Sequence, residues 1–480
     1  MPVDTEHPQY ARRKEQWEKL RDCNEGQEII HLKTTKYLPR LSGQSNEDYE
    51  AYLKRGVFYG ATSRTVDGLT GMVFRKPPMI EVPEGLKGII EDITLDGLGI
   101  VGFAEEIVDD SIVVGRSGIL VDHPVTPPNA SRAQAEAQNL RPFLRRYTAE
   151  NIFNWKTESR NNAQVVTEVR LYEQVELRGQ KEFDVSFRKQ IRVLDLNDVG
   201  QYRQRVFVKR KVAAPNGEMW EQLGLDIIPL KNGIPLNFVP FYFVGVKNSS
   251  PTVEKPPLID LANVNLSHYR STADLEHGAH FTGLPTAIVT GHQDDPEKPA
   301  EYRIGSANAW VFPNPETRVS FLEFQGQGLE ALEKRIDKKE QYMAFLGARM
   351  LTPEKKAVET AETAQIHRSG ETSVLSSLAQ SVSKSIEDAL KFMAEWAGFS
   401  GEIKFNLNND FSAVKMAPDE LIALLKTWQS GGIAFSDFLD NLKKGEIVHE
   451  DRTEDEIRSE IEQNNPFSGE DLTGGNLGAI

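Results

Sequence analysis

The chain has 480 residues, a formal net charge of −15 and 39% hydrophobic content, which fits a globular, soluble protein of roughly two to four structural units. A single cysteine, Cys23, excludes an intrachain disulfide framework and a cysteine-paired zinc site, and no run of about 18 apolar residues marks a membrane span. The acidic balance argues against a sequence-reading DNA-binding protein with a basic face; it is compatible with a protein that encloses DNA without gripping it, because a negative wall repels phosphates.

The first twenty residues, MPVDTEHPQYARRKEQWEKL, are polar and lack the apolar core of a signal peptide. With one cysteine, this fits synthesis in a reducing cytoplasm. Residues 12–30 predict a charged helix, and 31–40 a polar connector ending in Pro39. Asn46-Glu47-Asp48 opens a second helical run over 49–73, with Tyr52, Val57, Phe58, Val66, Leu69 and Val73 on its apolar side. Arg75-Lys76-Pro77-Pro78 stops it. Residues 85–110 predict a further helix pair, and 111–115 with 118–122 a β-hairpin turning on glycine.

From 143 to 243 the texture is that of short strands, over 165–172, 183–193, 201–209 and 237–244. Turn signals such as Asn216-Gly217 and Asn232-Gly233 separate them, so the layer is expected to be antiparallel. Pro256-Pro257 then introduces a helix from 258 to about 278, proline being well placed at a helix start. Its partly apolar face holds Leu258, Leu261, Asn265, Leu266, Tyr269 and Leu275. Strands are expected at 286–290, 309–312 and 319–324, with a polar loop over 291–299. Residues 329–349 return to helix, with Leu329, Leu332, Ile336, Met343 and Leu346 on one side and a length of roughly 30 Å.

Thr352-Pro353-Glu354 has the chemistry of a new helix start. The long helix that follows places Leu375, Leu378, Val382, Ile386, Ala389, Met393 and Trp396 at helical spacing, and Gly398 and Gly401 end it. A strand at 403–407, a helix at 419–428 broken by Gly431-Gly432, a helix capped by Ser436, and an acidic helical stretch at 450–462 complete the pattern. From Asn464 a disordered tail is expected. No internal repeat is present, and the mixture of helical and strand blocks defines an α+β fold.

Catalytic motifs are missing. There is no G-x-x-x-x-G-K-[ST] loop, no H-E-x-x-H and no G-x-S-x-G elbow. Gly115-Arg116-Ser117-Gly118 lacks elbow spacing and reads as a hairpin turn. His277 and His280 share a helix face, yet no third ligand stands at metal-binding spacing. Asp294, Asp295 and Glu297 are interrupted by Pro296 and Lys298, as in a solvated loop. Cys23 has no catalytic signature around it and reads as structural. No catalytic residue, metal or cofactor is expected, so the chain does not read as an enzyme. Lys355 and Lys356 form a basic pair in the polar segment between two helices. They suit loose contact with phosphates; on spacing alone an exposed, solvated helix start explains them better.

The order of elements changes that balance. Helix, small strand-rich insert, helix, basic segment and long helix, over 258–397, resembles the core of tailed-bacteriophage portal proteins. So does the local text. Tyr37-Leu38-Pro39, Tyr49-x-x-Tyr52-x-x-Arg55 and the run from Gly68 to Pro78 look like a portal subfamily long catalogued only as a domain of unknown function. The run from Phe345 to Leu351, Glu359-Thr360-Ala361 and the run from Ser373 to Ala379 are similar to its second half. The resemblance covers most of the chain and is weakest before residue 30 and after residue 450.

This resemblance implies a homo-oligomeric ring, usually of twelve subunits, at one capsid vertex of a virion assembled in the host cytoplasm. Residues 1–255 would form most of the wing, 256–280 and 327–349 the paired stem helices, and 281–326 the clip. Residues 350–362 would be the tunnel loop, 363–397 the helix returning to the wing, and 398–480 a short crown. Terminase and then the head–tail adaptor would dock at the clip, around Asp294, Asp295, Glu297 and Lys298. Lys355 and Lys356 would lie nearest the double-stranded DNA, and the major capsid protein would surround the ring. Twelve copies would together carry about −180 formal charges, an acidic collar that lets DNA slide. On the second stem helix, Glu333, Lys334, Arg335, Asp337, Lys338 and Lys339 would either line the bore or pair between neighbours. Two alternatives stand beside this reading: another virion ring, such as a head–tail connector, and a metal-dependent nuclease using scattered carboxylates.

Overall fold

In the computed structural model the chain opens with a helix, α1 (Pro8–Glu25), whose ends are set by local chemistry. The structure describes residues 2–125, 134, 137–160, 162–178, 184–211, 218–282, 286–291, 310–312, 314–322, 327–351, 373–409, 411, 418–444, 447–448 and 452–463. His7 caps α1 by accepting the Gln9 N–H on Nδ1 at 3.2 Å, Pro8 is pre-shaped for the first turn, and Gly26 at φ 104° ends it. Tyr10, Trp17, Leu20 and Cys23 are buried along one face, and burial pushes the Cys23 thiol up to about 12. The helix α2 (Gln27–Leu32) follows, so the charged stretch over 12–30 is two helices.

The expected continuous helix over 49–73 is also two, α3 (Asn46–Arg55) and α4 (Ala61–Val73). Ser45 caps α3 by accepting the Asp48 N–H at 3.1 Å. The chain breaks at Gly56 because that residue lies against a later helix. A Cβ there would meet Tyr269 at 3.0 Å and Ala273 at 3.1 Å.

A short strand β1 (Met79–Glu81) and two helices, α5 (Glu84–Ile90) and α6 (Ile100–Val114), come next. The hairpin expected over 111–122 does not form. Residues 111–114 finish α6, Gly115 closes it at φ 75°, and only 116–122 is a strand, β2 (Arg116–Asp122). The end of α6 is buried on every side, Ser111 to Val114 included, and such a run has no periodicity that separates helix from strand.

All of β2 is buried. It is the middle strand of an antiparallel sheet with β3 (Phe143–Thr148) on one side and β11 (Phe241–Gly245) on the other. The strand-rich region also builds a five-stranded antiparallel meander: β4 (Ile152–Arg160), β5 (Ala163–Arg178), β6 (Val185–Leu196), β7 (Tyr202–Lys211) and β8 (Glu218–Gln222). A two-residue pair, β9 (Leu230–Lys231) with β10 (Ile234–Pro235), precedes β11.

A buried polar network links the two sheets. Tyr147 donates to Glu173 at 2.6 Å and Gln190 donates to the same carboxylate at 2.7 Å. Arg192 lies 2.9 Å from Glu173 and 3.1 Å from Asp122, and Gln204 donates to Asp122 at 2.8 Å. Every charge in the network therefore has an opposite charge or a hydrogen bond, the condition for tolerating it inside a fold.

One buried charge lacks an acid. Arg116 is fully buried; its guanidinium sits 4.3 Å from the ring centre of Trp155 and 4.8 Å from that of Phe243. Its Nη1 donates to the Pro251 carbonyl at 2.7 Å, while Nε and Nη2 have no partner among the described residues. Burial alone pulls its pKa down to about 9. His7 stacks on Trp155 at 3.9 Å, so the chain start joins the same pile of rings.

After β11 come α7 (Ile259–Thr282), the antiparallel pair β12 (Thr286–Thr290) and β13 (Arg318–Leu322), and α8 (Gln327–Ala348). Of the strand expected at 309–312, the described residues 310–312 have no regular structure. The long helix α9 (Val374–Ala397) begins at Ser373, which accepts the Ser376 N–H at 3.1 Å, and ends at Gly398 in the left-handed region. Leu375, Leu378, Val382, Ile386, Ala389 and Met393 are all completely buried, as their spacing predicts. Polar residues of α9 also hold neighbouring backbone. Ser385 donates to Phe243 O at 3.1 Å, and Ser383 Oγ accepts the Leu407 N–H at 2.9 Å. The strand β14 (Lys404–Asn406) pairs antiparallel with β1.

The chain divides into two units, Met1–Asn409 and Asp410–Ile480. Residues 398–409 thus belong with the first unit rather than with the C-terminal block expected from 398. The second unit holds α10 (Pro418–Gln429), α11 (Phe435–Lys444) and α12 (Glu454–Gln463). Ser436 lies inside α11 rather than capping it, because the Phe438 N–H already bonds to Ala434 O. Thr453 and Glu456 form a reciprocal capping box at the start of α12. Trp428 stacks on Phe438 at 4.7 Å, and Arg458 lies 4.7 Å over Phe435. Among the described residues no helix is long and apolar enough to cross a membrane.

Two expectations follow. A Cβ on Gly118 would overlap the buried Phe241 ring and lie 2.8 Å from Ile152 Cδ1. Gly118→Ala is therefore expected to cost about 1–3 kcal/mol by overpacking, measured as a lower urea midpoint. Separately, burial and the Arg116 charge hold the His7 pKa below 6.5. The stability contributed by its neutral ring is complete above 6.5 and is lost as pH falls through the lowered folded value. His7→Asn keeps a capping oxygen without the titration. Between pH 7 and pH 5 its melting temperature should fall less than that of the unaltered chain.

Candidate functional site: a helix pair rooted in the body

The helix α7 has two different halves. Up to Ala273, residues such as Ile259, Leu261, Ala262, Leu266, Tyr269 and Ala273 are buried. From Asp274 onwards Asp274, Glu276, Ala279 and His280 are exposed. The buried half carries polar groups as well. Asn265 is completely buried; its Oδ1 accepts the Thr62 hydroxyl at 2.9 Å and the Thr62 N–H at 3.2 Å, and its Nδ2 donates to Tyr59 O at 2.7 Å. Tyr52 donates to Asp274 at 2.6 Å, and Arg270 donates to Tyr37 O at 2.8 Å. Burial, then this contact with Asp274, drives the Tyr52 hydroxyl's pKa upward. The root of α7 is therefore keyed to α3, α4 and the connector before them by hydrogen bonds that fix its rotation as well as its depth.

The helix α8 runs antiparallel to α7. Gly278 faces Leu329 near one end, and His268 faces Glu340 at 3.1 Å towards the other. Lys339 donates to Ser267 O at 2.8 Å and to Ser271 Oγ at 2.7 Å; burial, then Arg335, lowers its pKa. Thr65 of α4 packs 3.2 Å from where a Cβ of Gly347 would sit, so a small residue is needed there. Of the six charged residues singled out on this helix, Lys339 is thus turned inward against α7. Lys334 pairs along its own helix with Glu330 at 2.6 Å. Glu333, Arg335, Asp337 and Lys338 are exposed, with no ion pair among the described residues.

Between the two helices, β12 and β13 pair from Thr286 opposite Leu322 to Thr290 opposite Arg318. Asn314 donates to Gly291 O at 3.0 Å and closes the described part of the insert. Asp294, Asp295, Glu297 and Lys298 lie outside the described residues, as do Lys355 and Lys356 and the whole stretch 352–372.

His277, weighed as a metal ligand, has its Nδ1 3.3 Å from Arg55 Nη1 and its ring edge-on to Tyr52. Burial, then the Arg55 charge, lowers its pKa. Among the described residues no group of three His, Cys, Asp or Glu is placed to hold a metal ion. Open surface depressions are present among the described residues. One, of about 670 Å³, is lined by Pro83, Lys87 and Glu402 among others; another, of about 740 Å³, by Lys231, Tyr242, Phe392 and Glu395. Neither is lined by a serine, cysteine or histidine.

A family model described as a domain of unknown function (DUF4055) matches residues 257–397, the stretch from the root of α7 to the end of α9. No curated protein matches the chain. Solved structures similar to it include a chain of the neck of an empty gene transfer agent particle (11% identity, TM-score 0.37, covering 82% of this chain and 91% of that one). Others are a chain of the virion of a native gene transfer agent particle (11% identity, TM-score 0.38, 85% and 95%) and one of the neck of a native particle computed with twelvefold symmetry (12% identity, TM-score 0.36, 84% and 94%).

Truncating Asn265 strands the Thr62 donors on α4 and the Tyr59 carbonyl just before it. Asn265→Ala is expected to cost about 1–3 kcal/mol for each group left unsatisfied, read as a loss of urea stability, whereas Asn263→Ala on the exposed side of the same helix should change little.

Proposed function

We propose that this chain is the portal protein of a tailed bacteriophage. In this reading it is a ring subunit at one capsid vertex that forms the channel for double-stranded DNA during packaging and ejection and offers a docking site to terminase and the head–tail adaptor. The observation that carries the reading is the arrangement over 259–397. An antiparallel helix pair is rooted in a mixed body, a strand pair sits between the two helices, and a long buried helix follows. The ordered sequence motifs from Tyr37 to Ala379 support it, as does the acidic net charge of −15.

The mechanism is mechanical and electrostatic. A closed ring uses heterologous contacts, one surface of each copy meeting a different surface of the next. A rigidly keyed α7 would set the tilt of each helix pair, and so the shape of the bore. The strand pair with Asp294, Asp295, Glu297 and Lys298 would face the docking partners. Lys355 and Lys356 would touch phosphates lightly in a collar whose net negative charge prevents adhesion.

Negative-stain imaging and light scattering of the purified protein should show rings, with twelve subunits the expected number; solitary protomers under every assembly condition would overturn the reading. Lys355→Ala with Lys356→Ala should leave the ring intact and alter DNA retention or packaging, and a monomeric double variant would contradict the tunnel-loop assignment. Duplex DNA incubated with the protein and magnesium should stay intact; cleavage would favour the nuclease alternative.

A further inference from the structure

The helix α8 presents two exposed stripes of opposite character. With 3.6 residues per turn, Arg335, Lys338, Tyr342 and Phe345 fall along one side, opposite or oblique to the side packed on α7. Tyr342 is 52% exposed and Phe345 61%, and their rings stack parallel at 6.4 Å. Glu330, Glu333 and Asp337 fall along a second exposed side, about 130° away around the axis. Lys334 lies between the stripes and is engaged with Glu330. The remaining side, with Leu332, Ile336, Lys339 and Met343, faces α7. The i,i+4 pairing common on solvated helices is not open to Arg335, Lys338, Glu333 and Asp337, because none of them has an opposite charge four residues away.

We infer that these stripes are the two halves of a contact between copies of this chain, the Arg335–Phe345 side of α8 in one copy seating on the Glu333–Asp337 side of the helix pair in the next. The inference rests on the ring reading and deepens it, by assigning four of the charges left open between bore and neighbour to the neighbour. Two arguments favour this occupant over DNA. The first is charge complementarity within one chain: a basic stripe and an acidic stripe on different sides of one element are what a heterologous, ring-closing contact needs. The second is the aromatic pair. Adjacent exposed aromatic rings beside cations suit a desolvated protein contact, whereas a sliding duplex gains nothing from apolar area on the wall.

Charge reversal separates the possibilities. Arg335→Glu with Lys338→Glu makes both stripes acidic; Glu333→Lys with Asp337→Lys makes both basic. Each variant alone should lose the ring mass in light scattering while melting like the unaltered protomer. An equimolar mixture of the two should recover rings, because the copies can then alternate. Rings formed by either reversed variant alone, or no recovery on mixing, would overturn the inference while leaving the ring reading intact. Failure of the unaltered chain to form rings would overturn the ring reading itself. Should a reversed variant melt early, Arg335→Gln with Lys338→Gln is read instead; it should reduce the ring fraction, and an unchanged fraction would refute the contact.

Discussion

The body of this protein is organised around a guanidinium that has no acid. Arg116 is enclosed by Trp155 and Phe243 and tied to the Pro251 carbonyl. Burying an unpaired charge is costly, and cation–π contact, which strengthens when desolvated, is the main compensation available. That compensation exists only if four separate segments meet: β2 with Arg116, β4 with Trp155, β11 with Phe243, and the loop that leads into α7. His7, stacked on Trp155, adds the chain start. A residue this demanding contributes more to the uniqueness of the arrangement than to its stability. Its acceptor Pro251 lies just upstream of Pro256-Pro257, where the chain turns into α7, so the start of that helix is coupled to the packing of both sheets.

The same logic governs the root of α7. An apolar helix face can slide or rotate against another at modest cost. Asn265, with two hydrogen bonds from Thr62 of α4 and one to Tyr59 O just before it, cannot do so without stranding buried groups. Arg270, Tyr52 with Asp274, and Lys339 with Ser267 and Ser271 repeat the device along the pair. The result is a helix fixed in rotation at its buried half and exposed at the other. In a proposed ring, rotation matters more than depth, because the side each exposed stripe faces decides whether neighbours fit.

Parts of this were legible in the sequence. Helix spacing located the C-terminal end of α9 and the central line of its buried face, though not Leu390, Phe392 or the buried serines, and placed α7 and α8 within a few residues of their ends. Strand texture located three of the five meander strands, β5, β6 and β7, and missed β4 and β8. Several misreadings trace to a decisive partner lying far along the chain. The break at Gly56 is dictated by Tyr269 and Ala273, more than two hundred residues later. β14 owes its place to β1, and Arg116 within Gly-Arg-Ser-Gly looked like a turn because nothing local announces a buried cation. At 111–114 the apolar run carries no period, and only the neighbouring burial of α6 makes it helix. Asn265 and His268, three apart on an otherwise apolar face, were the one local hint of a keyed helix root. The six charges singled out on α8 looked equivalent in the sequence, and it took the seat of Lys339 against α7 to separate the inward charge from the outward ones.

The split character of α8 has an energetic consequence for the proposed assembly. A single exposed ion pair is worth about 0–1 kcal/mol and weakens with salt, so no two protomers would be held firmly by these stripes alone. An acidic protomer with weak, directional edges would resist premature aggregation. A closed ring removes the free ends, since every copy gains two contacts and none can leave without breaking both. Weak complementary charges would then select register and partner, the Tyr342 and Phe345 rings would supply the apolar burial, and closure would convert modest contacts into a durable collar without a strong pairwise interface that could trap open chains.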